Sequence, residues 1–476
     1  ESWPLIVAGG PCACNPEPLA DFFDIFFLGD GEEVDIEVME LYRQCKKEGK
    51  SKLAFLEQAA QIQGVYVPAF YDVTYNEDGT VKAYTPTHGA PATVKKRNMM
   101  DMDKSYYPKD FVVPLIDVVH NRISEEVLRG CIRGCRFCQA GFLYRPYREK
   151  SIETIDRQCR DLCCSTGYDE ISLSSLSTSD YSQLNQLIDT LHQWTEGEKV
   201  SLSLPSLRVD NFSPELMERI NSVRKSGLTF APEAGSQRMR DVINKNVTEE
   251  QLLHTVNVAF TEGWTRIKLY FMIGLPTETE DDILGISRLA DEVVSIYKHT
   301  PKEIRNKNLR VTVSVSSFVP KPFTPFQWFG QNTQGQLFEK QMLLKDAIKN
   351  RYVSYNWHDS SLSILEGVFA RGDRKLSKVL VEAHRLGAKF DSWHEFFNME
   401  TWQTAFANTG IDPSFYNERE RNYEEILPWD HIDIGVSKAF LMNENEKAKR
   451  GEPTANCREK CAGCGVIPSF GGGFCG

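Results

Sequence analysis

Three closely spaced cysteines are the residues of this sequence best suited to chemistry. Cys131, Cys135 and Cys138 follow a C-x3-C-x2-C pattern, and Gly134 relieves the backbone between them. The pattern directly follows a predicted strand over residues 126–131. Three thiolates from one short loop suit a 4Fe–4S cluster, because a cube with only three cysteine ligands keeps one iron open for a small molecule. A zinc loop, which more often uses paired halves and four ligands, and unligated buried cysteines are the alternatives.

A second triplet with the same spacing stands near the C-terminus. It consists of Cys457, Cys461 and Cys464, and Cys475 adds a fourth thiol behind a run of glycines at 471–473. Glycines allow the chain to fold back, so Cys475 is predicted to join the triplet. Four thiolates fit a second, closed iron–sulfur cluster, with a zinc site as the alternative.

Composition limits the class of protein. The chain has 476 residues, 13 cysteines and a formal net charge of −11, which is too long for one core and too acidic for bulk binding of nucleic acid. No apolar run is long enough to cross a membrane. Clustered cysteines without a disulfide framework predict a reducing, cytoplasmic location. Because the sequence opens at Glu1 in what reads as the middle of a domain, a preceding segment is expected.

The elements that must position the first triplet lie between residues 116 and 330. Apolar segments predict six strands, at 126–131, 170–176, 199–204, 228–231, 266–273 and 310–318. The helices between them are predicted at about 151–166, 181–196, 213–226, 236–262, as one helix or two, and 279–299. Four of these helices are predicted to end at a glycine, namely Gly167, Gly197, Gly227 and Gly263, and the spacing of Thr248 and Gln251 predicts a capping box. This alternation predicts a parallel α/β unit, either an open sheet or a partial barrel. Such folds place their chemistry at the C-terminal ends of the strands, where the cysteine loop begins.

The flanking regions are predicted from local patterns. Residues 1–45 read as strand, helix and strand of a parallel sheet, and 46–115 as a connector with a β-hairpin. Residues 331–445 are predicted to be mostly helical, and 446–476 form the cysteine-rich tail. Six basic residues around the cysteine loop are interpreted as a solvated surface, with anion recognition as the alternative; they are Arg129, Arg133, Arg136, Arg145, Arg148 and Lys150.

Several segments together resemble the radical S-adenosylmethionine (SAM) superfamily. Besides the cysteine loop with Phe137, the stretches at 204–208, 231–236 and 270–276 each close a predicted strand. The closest resemblance is to a little-characterised branch with an N-terminal cobalamin-binding domain, of which residues 1–45 would be the last part. The resemblance implies a partial six-stranded (β/α) barrel of radical SAM type, with the remnant of a Rossmann-like domain before it and a mostly helical region after it.

The resemblance also implies site residues. A 4Fe–4S cluster would bind Cys131, Cys135 and Cys138, and SAM would contact Phe137, Ser175, Ser177, Ser206, Arg208, Glu233, Ser236, Gly274 and Leu275. Ser175 to Ser177 stand where the superfamily usually has Gly-Gly-Glu, which leaves the ligands of the SAM amino group undetermined. The Asp-x-His-x-x-Gly signature for a lower cobalt ligand is absent from residues 1–45, so cobalamin is expected only through a preceding segment. No catalytic residue is assigned.

The implied function is reductive cleavage of SAM to a 5′-deoxyadenosyl radical, which would modify an unidentified substrate, with methylation among the outcomes. An electron donor such as flavodoxin or ferredoxin is implied. The residues do not decide between a small molecule, RNA and protein as substrate, and no membrane partner is expected. The alternative is a non-catalytic iron–sulfur or zinc protein with a role in electron transfer or binding.

Overall fold

A computed structural model describes residues 4–116, 118–204, 227–305 and 307–471. In the N-terminal part, β1 (Val7–Ala8) and β2 (Ile25–Phe27) pair in parallel, which confirms the predicted arrangement. Two 3-10 helices, Pro11–Cys14 and Glu17–Phe22, connect them where an α-helix was predicted. A third strand, β3 (Val65–Tyr66), pairs antiparallel with β2.

The connector forms the predicted hairpin from β4 (Tyr71–Tyr75) and β5 (Val81–Pro86). It continues through β6 (Val94–Lys95), which pairs in parallel with β16 (Ile432–Asp433) from the C-terminal region. The connector is therefore fixed to the C-terminal region by backbone hydrogen bonds.

The first sheet of the central unit contains β7 (Ile123–Glu126), β10 (Glu170–Ser174) and β11 (Ser201–Ser203), all parallel. Its apolar face packs on the helices Ile152–Thr166 and Leu184–Glu198. The strand predicted over 126–131 is wrong in its bounds. The first strand ends at Glu126, and a two-residue strand, β8 (Leu128–Arg129), then pairs antiparallel with β9 (Arg148–Glu149).

The second sheet contains β12 (Leu228–Glu233), β13 (Arg266–Ile273), β14 (Arg310–Ser317) and β15 (Val353–Trp357), again all parallel. The strand β15 lies in a region predicted to be helical, and its aromatic side chains favour a strand there. The α/β character of the unit is confirmed. Its described residues form two sheets of three and four strands, rather than one continuous six-stranded sheet.

Some helix boundaries agree with the local sequence signals that predict them, and others do not. Thr248 and Gln251 form the predicted capping box, and Gly167 ends a helix with φ 71°. Gly197 does not end its helix, which runs to Glu198 and is capped by Lys199 instead. The segment 236–262, predicted as one helix or two, forms two, Gln237–Val242 and Glu249–Thr261, and Asn244 and Asn246 adopt positive φ between them.

The other α-helices are Gly31–Lys47, Lys52–Ala59, Ala140–Leu143, Glu280–His299, Gln334–Ala347, Ser360–Ala370, Ser377–Arg385, Met399–Thr409, Ser414–Asn417, Lys438–Lys449 and Val466–Phe470. Short 3-10 helices occur at Pro68–Phe70, Met102–Lys104, Thr178–Asp180 and Arg374–Leu376. Within the described ranges, no helix is both long and apolar enough to span a membrane. The helix predicted over 213–226 lies outside the described residues.

Candidate active site

The first cysteine triplet lies between β8 and the short helix Ala140–Leu143. The pKa of Cys131 is raised to about 12 and that of Cys138 to about 11, mainly by burial and, to a smaller extent, by the nearby Cys135. The thiols of Cys131 and Cys138 therefore hold their protons in the free protein. Iron binds thiolates, so a bound cluster would displace these protons and stabilise the loop.

A backbone donor lies beside the first thiol of the loop. Among the described residues, no group of three or more His, Cys, Asp or Glu side chains is placed to hold a metal ion. The backbone N–H of Arg133 donates to Cys131 Sγ at 3.4 Å, which stabilises the thiolate form.

The segment that follows β10 contacts the cysteine loop through Asp180. This buried carboxylate accepts from Arg133 Nε at 3.0 Å and from Ser177 Oγ at 2.7 Å. Its backbone carbonyl accepts from the hydroxyl of Tyr147 at 2.7 Å. Ser177 thus orients Asp180, and Ser175 Oγ lies 2.9 Å from Thr178 Oγ1. Asp180 closes the Ser-rich stretch 175–180 that follows β10, yet sequence reasoning assigned it no role.

The loop is also held from the side of the second sheet. Asn244 Nδ2 donates to the carbonyl of Gly134 at 3.0 Å, and a Cβ added at Gly134 would stand 2.9 Å from that nitrogen. Arg136 is fully buried and donates to the carbonyl of Val242 at 2.9 Å and to Glu444 Oε2 at 3.0 Å. Burial lowers the pKa of Arg136, while the nearby Glu444 opposes that shift.

The interpretation of the basic residues as a solvated surface is wrong. Five of the six are buried, namely Arg133, Arg136, Arg145, Arg148 and Lys150. Arg148 pairs with Asp30 and Lys150 Nζ lies 2.6 Å from Glu125 Oε1. A buried charge needs such a partner because desolvation of an unpaired ion is costly. These side chains are therefore structural, since their charges are satisfied within the fold.

Glu233, the last residue of β12, has an unusual backbone conformation. Its φ of 68° is in the left-handed region, directly after a register shift in the pairing with β13. Lys245 Nζ lies 3.2 Å from Glu233 Oε1, and both charges act on the pKa of Cys138. A strained non-glycine residue at a strand end is typical of functional sites. The structure therefore brings Glu233 beside the cysteine loop.

The remaining predicted SAM contacts within the described residues lie in three different surroundings. Phe137 and Leu275 pack in one apolar cluster beside the cysteine loop. Gly274 has φ 81° and donates its N–H to Glu278 Oε2 at 2.8 Å. Ser236 caps the helix Gln237–Val242, accepting from the N–H of Met239 and donating to Asp282. The predicted contacts at positions 206 and 208, Ser206 and Arg208, lie outside the described residues.

The C-terminal tail reaches the same loop. The N–H of Cys457 donates to the carbonyl of Ile132 at 3.0 Å, and the N–H of Thr454 donates to Asn244 Oδ1 at 2.7 Å. Of the other tail cysteines, Cys464 is buried and Cys461 is exposed. Cys475 lies outside the described residues. The second triplet therefore begins against the backbone of the first.

Comparisons with known proteins identify the class. A family model described as "Radical SAM superfamily" matches residues 126–290, and one described as "Radical SAM proteins, N-terminal" matches residues 1–68. The uncharacterized protein MJ0966 of Methanocaldococcus jannaschii is 30% identical over 380 residues, which cover 79% of this chain and 73% of that protein. The chain belongs to the radical SAM superfamily, a class of enzymes that uses a 4Fe–4S cluster and SAM.

More distant relatives carry named activities. The putative methylthiotransferase MJ0865 of the same organism is 26% identical over 37% of this chain and 42% of its own length. The uncharacterized methyltransferase PH0819 of Pyrococcus horikoshii is 21% identical over 57% of this chain and 58% of its own length. The chain thus spans less than two thirds of these two proteins. The solved radical SAM methyltransferase TsrM of Kitasatospora setae is 13% identical, with a TM-score of 0.43 over 65% of this chain and 56% of its own.

Proposed function

We propose that Cys131, Cys135 and Cys138 hold the SAM-binding cluster and that SAM lies between this loop and the end of β12. The observation that carries the proposal is the position of Glu233 and Lys245 beside Cys138. The amino acid moiety of SAM carries an ammonium and a carboxylate, and it would bind the open iron. Glu233 and Lys245 offer the opposite charges to these two groups at the end of β12.

Cys131, Cys135 and Cys138 would hold the cluster, which would supply the one-electron reduction that cleaves a carbon–sulfur bond of SAM. The protein contributes position and a dry environment. Phe137 and Leu275 form an apolar wall beside the loop, which limits the access of water. Glu233 orients the SAM ammonium, and Asp180 fixes the loop through Arg133.

The test is anaerobic reconstitution with iron and sulfide, followed by dithionite and SAM, with 5′-deoxyadenosine measured by chromatography. The wild type should release it, and Cys135→Ala should not, because two thiolates cannot hold the cube with an open iron. Cys164→Ala is the matched control, since Cys164 is exposed on the helix Ile152–Thr166. A fully loaded wild-type cluster without product would instead support the non-catalytic alternative.

A second iron–sulfur cluster at Cys457, Cys461, Cys464 and Cys475 is also proposed. Its support is the repeated spacing and the contact of Cys457 with the first loop. A closed cluster there would transfer electrons or hold the tail against the loop. In a variant with all three loop cysteines replaced by Ala, iron and sulfide should remain. Zinc in that variant would contradict the proposal.

For the outcome of the reaction we propose transfer of a methyl or methylthio group. The support comes from the relatives that are named as a methyltransferase and a methylthiotransferase. Cobalamin stays an expectation of the resemblance, because no lower cobalt ligand signature is present in residues 1–45, and no step is assigned to it. Mass spectrometry of metabolites and RNA nucleosides from a deletion strain, fed with methyl-labelled methionine, tests the transfer. A product lost in that strain and labelled in its parent is expected, and unchanged profiles would contradict the proposal.

A further inference from the structure

Both central sheets have one apolar and one polar face. In β13, Ile267, Leu269 and Phe271 pack in the core with the helices, so Lys268 and Tyr270 lie on the opposite face. Strands of parallel sheets are normally apolar on both faces, because helices cover both. A polar face on such a sheet therefore indicates a surface that meets water or a polar ligand.

The strand register gathers the polar residues into rows. In the second sheet, Lys268 pairs with Thr229 on one side and Thr312 on the other, and Thr312 pairs with Ser354. The neighbouring row is apolar throughout, from Leu228 to Val353. Three hydroxyl residues thus accompany a single lysine across four strands.

The first sheet has a similar row of hydroxyl residues, but this row contains no lysine. Ser124, Ser172 and Ser203 are in register across its three strands. A cavity of about 500 Å³ lies against this face, lined by Ser124, Ser172 and Ser174 among others. That volume lies in the range of sites for small molecules. The polar face of this sheet therefore does border a cavity.

Lys268, on an interior strand of the second sheet, contacts a neutral side chain. Its Nζ donates to the hydroxyl of Tyr270 at 2.7 Å and lies 4.4 Å from that ring's centroid. Across the described ranges, no carboxylate forms an ion pair with Lys268. Lys150, by contrast, is buried against Glu125. An ammonium on a central strand with only a neutral partner retains two donor positions for an anion.

We propose that Lys268 and Tyr270 bind an anionic group of the substrate, a carboxylate or a phosphate, on the polar face of the second sheet. This inference rests on the proposed function, since it names the chemistry of the substrate for the same α/β unit. The ammonium supplies charge-assisted hydrogen bonds and the phenol a second donor. The hydroxyls of Thr312 and Thr229 extend the polar surface along the same row.

Calorimetric titration of the reconstituted protein with inorganic phosphate, and separately with malonate, tests the inference. SAM and dithionite are omitted, so a failure here leaves the SAM cleavage assay as an independent test of the proposed function. We expect saturable binding, weakened about tenfold or more in Lys268→Gln and about threefold in Tyr270→Phe. Lys302→Gln is the matched control, because Lys302 is exposed in the loop after the helix Glu280–His299.

Comparison of the two anions distinguishes a phosphorylated substrate from a carboxylic acid. Tighter binding of phosphate indicates a phosphorylated substrate, and tighter binding of malonate a carboxylic acid. Lys268→Arg keeps the charge and should retain binding within a few-fold, which guards against a folding defect in Lys268→Gln. Equal affinity in the wild type and Lys268→Gln would overturn the inference, as would the lack of saturable binding of either anion.

Discussion

The backbone N–H of Cys457 donates a hydrogen bond to the carbonyl of Ile132, 3.0 Å away, and so joins the two cysteine triplets directly. Ile132 follows the first cysteine of the loop, and Cys457 is the first cysteine of the tail. The N–H of Thr454 donates to Asn244 Oδ1, and Asn244 Nδ2 donates to the carbonyl of Gly134. Asn244 is therefore a second link between the tail and the cysteine loop. We therefore expect changes in the tail to affect the loop.

Replacement of Asn244 by Ala should loosen the loop and the tail together. The substitution removes the bonds to Gly134 and Thr454 and also puts Ala at a positive φ, which together should cost about 1–3 kcal/mol of the free energy of unfolding. Urea denaturation measures that cost, and iron retained after gel filtration measures the effect on the cluster. Asn350→Ala is the control, because Asn350 bonds Asp291 on an exposed surface. If Asn244→Ala retains as much iron as the wild type, the hydrogen bonds of Asn244 do not stabilise the cluster.

Glu233→Gln should weaken SAM binding without preventing assembly of the cluster. Loss of a charge-assisted hydrogen bond predicts a rise in KM for SAM of about tenfold. The measurement is 5′-deoxyadenosine formation against SAM concentration, with iron content determined in parallel. Glu250→Gln, at an exposed position of the helix Glu249–Thr261, should behave as the wild type. An unchanged KM would remove Glu233 from the SAM site.

Lys96 should make stability depend on pH in the alkaline range. Its pKa is lowered from 10.5 to about 8, mainly by burial and also by the charge of Arg148, while Asp30, Cys14 and Asp433 oppose the shift. Between these values the unfolded chain binds the proton that the folded chain releases, so stability rises with pH. The gain from pH 8 to 10.5 is about 3 kcal/mol.

Lys96→Met is the test, compared with the wild type by urea denaturation at several pH values. Other groups titrate in this range, so the difference between the two proteins is the relevant quantity. That difference should change in favour of the wild type as pH rises through 8. Parallel curves for the two proteins would contradict the assignment.

Local patterns predicted most of the central unit. The strand Arg266–Ile273 has the predicted bounds, because its apolar residues and the following Gly274 are local signals. The capping box at Thr248 was likewise readable from the sequence. The cysteine spacing pointed to a cluster, and together with the segments that close the following strands it carried the resemblance to the superfamily.

The parts that sequence reasoning missed depend on distant contacts. The pairing of Arg136 with Glu444 joins residues 308 apart in the chain, and a basic residue that is buried by such a partner looks like a surface residue in the sequence. Asp180 and Asn244 were missed for the same reason. Gly197 looked like a helix end, yet the helix continues for one more residue to Glu198.

The central claim is that the first triplet holds a cluster with an iron open to SAM. The direct measurement is the paramagnetic resonance spectrum of a dithionite-reduced variant in which Cys457, Cys461 and Cys464 are all replaced by Ala. Only the loop cluster should remain, and addition of SAM should change its spectrum, because SAM binds that iron. A spectrum that SAM leaves unchanged, from a protein with a full loop cluster, would contradict the claim.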